Sequence, residues 1–119
     1  MVRLLLLALT GLFLAGCSQS PVIQVDPALD GYVDVEDVHQ RVNSAGLLEV
    51  QVTAKNTTDK PLAMYYQFDW LDEDGRSVPS LLSRKNRITA DKNRWFSING
   101  VAPKPEVVNF RLYLDERSQ

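Results

Sequence analysis

The chain has one cysteine and one histidine in 119 residues, and these two scarcities remove much of the chemistry a protein of this size can carry. With Cys17 alone, neither an intramolecular disulfide nor a cysteine-based metal site can be built. With His39 alone, no catalytic triad or zinc site finds its partners, and His39 reads as a strand surface residue. There is no glycine-rich phosphate loop and no Walker motif. Asp69, Asp72, Glu73 and Asp74 lack the alternating spacing and the later glutamate of a calcium loop, so they read as a solvated hairpin turn. Basic residues are not in surplus, with 13 Lys and Arg against 15 Asp and Glu, which gives no support to nucleic-acid binding. The longest apolar run falls short of the ~20 residues of a membrane-spanning helix. The expectation is a non-enzymatic protein without a metal site or a cofactor beyond a covalent lipid.

That lipid is implied by the start of the chain. Arg3 is the only charge before Asp26, and residues 4–14 are apolar except for Thr10 and Gly11. A positive start, a short apolar segment and small residues before a cleavage point are the parts of a secretory signal. Here Leu14-Ala15-Gly16 leads directly into Cys17. The run resembles the lipobox of bacterial lipoproteins, in which the cysteine thiolate takes a diacylglyceryl group. Acyl chains at about 0.8 kcal/mol per buried methylene then hold the protein to a bilayer. Residues 1–16 are accordingly expected to be a signal peptide, with Cys17 lipidated and the domain facing the periplasm. Ser18, where an Asp favours inner-membrane retention in enteric-type lipoproteins, points to the outer membrane.

Residues 17–31 contain Pro21 and Pro27 and keep no sustained period, so they read as a tether, although residues 22–25 are also suited to an edge strand. A domain is expected over residues 32–119, about the size that buries one core without disulfides. Val33 and Val35 alternate with Asp34 and Glu36; Leu48, Val50, Val52 and Ala54 alternate with Glu49, Gln51, Thr53 and Lys55. The turn signal Asn43-Ser44-Ala45-Gly46 lies between them, so the two runs form a hairpin. Leu62, Met64, Tyr66, Phe68 and Trp70 make the cleanest single face in the chain and are expected at the centre of the core. Asp72-Glu73-Asp74-Gly75 is a second turn, and residues 76–82, broken by Pro79, suit an edge or bulge. Residues 94–101 put Phe96 and Ile98 on one face and Trp95 and Ser97 on the other. A last alternating face holds Val108, Phe110, Leu112 and Leu114. Short strands at about 10-residue spacing without a helical period predict an all-β fold, an immunoglobulin-like antiparallel β-sandwich. A small closed barrel is the alternative.

Three segments carry a resemblance. Val52-Thr53-Ala54-Lys55-Asn56-Thr57-Thr58-Asp59-Lys60-Pro61, Tyr65-Tyr66-Gln67-Phe68-Asp69-Trp70-Leu71-Asp72-Glu73-Asp74-Gly75 and the final Asn109-Phe110-Arg111-Leu112-Tyr113-Leu114 resemble the YcfL family of small periplasmic lipoproteins. The resemblance covers about residues 48–114 and implies an Ig-like module without an established activity. In some bacteria the gene of such a protein lies near that of a lipoprotein activating a peptidoglycan synthase. An envelope protein, of the peptidoglycan synthesis machinery among others, is therefore the partner the resemblance implies.

Tyr65, Trp95 and Tyr113 fall on the opposite parity from the main core residues, where an uncovered outer face would make them an aromatic patch beside Arg94 and Arg111. Aromatics beside arginine are the enriched chemistry of interface hot spots. Trp95, Arg94, Arg111, Tyr113 and Tyr65 are therefore the expected partner surface, with burial at the sandwich edges as the other reading. Direct recognition of peptidoglycan or another glycan or small molecule is the alternative function. Acidic residues cluster over residues 26–37 and basic ones over residues 84–94, two blocks suited to meeting each other, a partner or solvent.

Overall fold

The computed structural model describes residues 21–116. Eight strands follow in order among them: β1 (Val22–Val25), β2 (Val33–Val42), β3 (Leu48–Asn56), β4 (Leu62–Asp72), β5 (Ser77–Val78), β6 (Asn86–Ala90), β7 (Trp95–Val101) and β8 (Val107–Glu116). Single 3₁₀ turns lie at Pro27–Leu29 and Leu81–Ser83. One sheet runs β1-β8-β4-β5 with β6 also on β4, so β5 and β6 share one edge; the other runs β2-β3-β7. The fold is the expected immunoglobulin-like sandwich, two sheets with one core between them rather than a closed barrel.

The alternation of each long strand decides which side chains meet. From β4 come Met64, Phe68 and Trp70, and from β8 come Phe110, Leu112 and Leu114, all fully buried. The smaller sheet answers with Val50, Val52 and Ala54 of β3 and Ile98 of β7. Phe68 and Trp70 stack with ring centroids 4.8 Å apart, and Phe110 tilts against both. Burial of each of these rings is worth about 1.5–3 kcal/mol. Bulk on one sheet requires room on the other. A Cβ at Gly100 of β7 would lie 2.9 Å from Phe68 Cε2 and 3.1 Å from Trp70 Cη2, so only glycine lets the backbone pass this close.

Both turns read from sequence are present, with Gly46 and Gly75 each at φ 80°. Behind Gly46, the Asn43 carboxamide oxygen accepts from the amides of Ala45 and Leu47 and closes the β2–β3 turn.

Three places differ from the sequence reading. Within the segment read as a tether, residues 22–25 take the edge-strand option, and β1 pairs parallel with β8 from Val22↔Arg111 to Val25↔Leu114. The following turn is fixed by Asp26, whose carboxylate accepts from Ala28 N and Glu116 N, and it buries Leu29 in the core. Ordered structure therefore reaches back well before Tyr32. Second, β6 has one large apolar residue, Ile88, and gave no strand signal; as an edge strand on β4 it packs one face only. Third, Val108 is not a core residue but 54% exposed. Between Leu71 and Asp72 the β4–β8 register shifts so that Val108 is the extra residue of a bulge and Val107 turns inward in its place.

Asn56 joins the two layers. It is fully buried at the end of β3, its Nδ2 within 2.8 Å of the Lys60 carbonyl, 3.1 Å of Asp91 and 3.2 Å of Ala90. Its Oδ1 accepts from the amide and hydroxyl of Thr58. The amide thus fastens the β3–β4 loop to the end of β6 across the sandwich. Burying it is tolerable because every polar atom of the group is satisfied.

Candidate interaction surface

Register determines which outward residues become neighbours. On the outer face of the larger sheet, Asp69 stands opposite Arg111, Gln67 opposite Tyr113, and Tyr65 opposite Asp115. Pairing with β1 places Val22 beside Arg111 and Gln24 beside Tyr113, and pairing with β6 places Arg87 beside Tyr65. Tyr65 and Tyr113 are half-buried and Arg111 is exposed. The Lys85 ammonium lies 5.8 Å from the centroid of the Tyr65 ring, within cation–π range. Arg111 Nη1 is 3.8 Å from Asp69 Oδ2, while Ser77 Oγ donates to Asp69 Oδ1 at 2.7 Å. Gln67 Nε2 donates to the Ser83 carbonyl at 2.9 Å. A shallow groove of about 450 Å³ runs between Gln67, Asp69, Ser83, Tyr113 and Asp115. The face as a whole mixes cations (Lys85, Arg87, Arg111), carboxylates (Asp69, Asp115) and two phenol rings, side chains suited to a polar contact.

The smaller sheet presents a different outer face. Its four rows are Arg41–Glu49–Val101, His39–Gln51–Asn99, Asp37–Thr53–Ser97 and Asp34–Lys55–Trp95. Glu49 accepts from Arg41 Nε at 2.8 Å and from Asn43 Nδ2 at 3.0 Å. These bonds, Asn43 first and then Arg41, hold its carboxyl below the usual range. His39 is exposed in a groove of about 350 Å³ with Arg41, Glu49, Gln51, Asn99 and Val101. Trp95 is 61% exposed at the end of β7, with the Lys55 ammonium 4.4 Å from its ring centroid. Arg94, just before β7, lines a separate groove with Asp59, Pro61, Asp91 and Lys92.

The five residues expected to form one surface are therefore divided. Tyr65, Arg111 and Tyr113 share the outer face of the larger sheet, whereas Trp95 is on the outer face of the smaller one and Arg94 lies in the loop leading into β7. Alternation along a strand separates inside from outside but does not reveal which of two outsides a residue faces. Gln67, Asp69, Asp115, Lys85 and Arg87 are brought to the tyrosine face by strand pairing; the sequence signals were the parity of Gln67 and Asp69 with Tyr65 and of Asp115 with Arg111 and Tyr113. The acidic and basic blocks do not meet: the ion pairs among the described residues, Arg41–Glu49 and Arg111–Asp69, join neither block to the other. Cys17 lies outside the described residues. Among those residues, no group of three or more His, Cys, Asp or Glu is placed to hold a metal ion.

Comparison with known proteins adds a family and a fold. The model of a protein family of unknown function, DUF1425, matches residues 20–116. No curated protein matches the chain. Among solved structures, Campylobacter jejuni cj0090 is similar at a TM-score of 0.70 and 22% identity, over 81% of this chain and 98% of that one. A DUF1425 family member from Shewanella sp. pv-4 is similar at a TM-score of 0.65 and 22% identity, over 73% of this chain and 80% of that one. At this identity the likeness is one of fold.

Proposed function

The chain belongs to the DUF1425 family of proteins of unknown function, and on that premise we propose that it is a non-enzymatic lipoprotein of the bacterial cell envelope, of YcfL type, which binds a protein partner in the periplasm. The observation that carries the reading is the tyrosine face of the larger sheet, where Tyr65, Tyr113 and Arg111 converge with Lys85 and Arg87. Aromatic and arginine side chains held on a rigid sheet lose little entropy on binding, which is why they dominate interface energetics. Trp95 and Arg94 have no part in this surface.

The anchor supports the same reading. Lipidation at Cys17 would tie the protein to the outer membrane through the segment leading into β1. Five residue steps separate Cys17 from Val22, a span of at most about 17 Å. The sandwich is then held near the bilayer, and partners embedded in or lying on the envelope meet it there. A component of the peptidoglycan synthesis machinery fits this position, as the YcfL resemblance implies.

The test is site-specific photocrosslinking in cells, with the crosslinking residue at Tyr113 and, as a control, at Gln51 on the opposite face. A discrete product from Tyr113, identified by mass and lost with Arg111→Ala, is expected. Equal products from both positions, or none from Tyr113 with the protein abundant, would remove the reading. Cys17→Ser tests the anchor: unprocessed or soluble protein is expected, and unchanged membrane fractionation refutes it. A second reading, direct glycan binding, is favoured by the groove in which Tyr113 meets Gln67, Asp69 and Asp115. It requires the protein to sediment with purified sacculi and to lose that with Tyr113→Ala.

A further inference from the structure

Among the described residues, the smaller sheet has two unpaired edges, and they are built differently. The β2 edge carries Asp34, Glu36, Asp37 and Arg41 and is kinked by a bulge at Glu36, between Val35 and Asp37. Charges and bulges on an edge strand discourage further strand pairing. The β7 edge, Trp95-Phe96-Ser97-Ile98-Asn99-Gly100-Val101, has no charged residue, no proline and no register shift. Asn56 N donates to Arg94 O and Ala102 N to Leu48 O, so the ladder bonds with β3 fall on the even-numbered residues of β7. The amides and carbonyls of Trp95, Ser97, Asn99 and Val101 consequently point away from the sheet. No backbone bond among the described residues uses them. Phe96 is only half-buried although it faces inward, as expected beside an open edge.

The strand is also its own antiparallel complement. With a two-fold axis at Ile98, Trp95 falls opposite Val101 of a second copy, and Ser97 opposite Asn99. Phe96 falls opposite Gly100, and Ile98 opposite itself. These are an aromatic–β-branched pair, a hydrogen-bonding polar pair and an aromatic ring over a glycine, each a favourable cross-strand pairing. No like charges meet. The odd-numbered groups left free by β3 are the ones this register bonds. We propose that β7 is a homodimerisation edge, at which two copies pair antiparallel about Ile98 and join their three-stranded sheets into one sheet of twice the width.

The register gives a charge-swap test. Ser97 and Asn99 are exposed and neither is in the core, so substitution there spares the fold. The full chain, taken from membranes in mild detergent and weighed by sedimentation equilibrium at matched detergent density, is expected at twice its monomer mass. Ser97→Asp with Asn99→Asp puts like charges opposite each other at two places and should weaken association by roughly tenfold or more. Ser97→Asp with Asn99→Lys puts opposite charges at the same two places and should restore the dimer. Circular dichroism on each variant confirms that it is folded. A monomeric wild type overturns the proposal, including the case in which β7 takes a strand from a different protein. A dimer indifferent to both variants overturns it too, since the contact would then lie elsewhere. Neither result bears on the crosslink at Tyr113, which faces away on the other sheet.

Discussion

The two sheets divide the work of the sandwich unequally. The larger one supplies volume, with Trp70, Phe68 and Phe110 among the largest fully buried side chains, and it also carries the aromatic outer face. The smaller one supplies fit: Val50, Val52, Ala54 and Gly100 line its inner face with little bulk, and its outer rows are mostly polar. Large against small is how facing layers interdigitate at native density. The contrast teaches that β4 is constrained on both faces, one by packing and one by the surface it presents, while the inner face of β7 must both fill space at Ile98 and leave it empty at Gly100.

Removing the bulk should have the largest effect. Trp70→Ala empties a fully buried site and also removes the bond that Trp70 Nε1 donates to the Ser80 hydroxyl at 3.0 Å. A loss of about 3–5 kcal/mol in urea unfolding is expected; a loss below 1 kcal/mol would mean that the core is not built on this ring. Filling the room should cost less. Gly100→Ala drives a methyl into Phe68 and Trp70, and about 1–3 kcal/mol of destabilisation is expected. Adding Phe68→Leu to it should be less damaging than the two changes summed, because they share one space. Strict additivity would show that the two sheets do not press on each other at this point.

The smallest effect concerns how the larger sheet gains its fifth strand. Asp26 is held below the usual carboxylate range, first by the Ala28 amide and then by that of Glu116. A depressed carboxylate contributes stability that is present above its unfolded pKa, near 4, and is lost as pH falls through the lower folded value. Asp26→Asn should therefore be slightly less stable than wild type at pH 7, with the two converging as the pH falls through the lowered folded value. A difference that grows on acidification would have the opposite sign and would refute this role for the carboxylate.

Much of the sandwich was legible because long strands with one wet face write their pattern plainly. The spans of β2, β3 and β7, the aromatic face of β4 and both glycine turns follow from alternation and turn chemistry. Where the pattern was weak, a local physical reason stood behind it. In β6, Ile88 alone packs inward as a large side chain, since an edge strand has little to bury. β1 is four residues long, too short for alternation to stand out from a proline-flanked linker. The bulge at Val108 reverses parity within a strand, which no periodic reading anticipates. The surface failed for a different reason: Trp95 and Tyr113 share a parity, but strand pairing sends them to opposite sides of the molecule.

The β1–β8 pairing has a mechanical consequence. If the chain is held at Cys17, a pull between membrane and domain enters through the N-terminal end of β1, and its component along the strand axis falls on the pairing with β8. The bonds to β8 lie across that axis, and Asp26 N→Leu114 O and Glu116 N→Asp26 Oδ2 close the far end. Tension then loads the whole ladder in shear instead of peeling it bond by bond. With such an anchor, β1 would be the clamp through which the sandwich bears force.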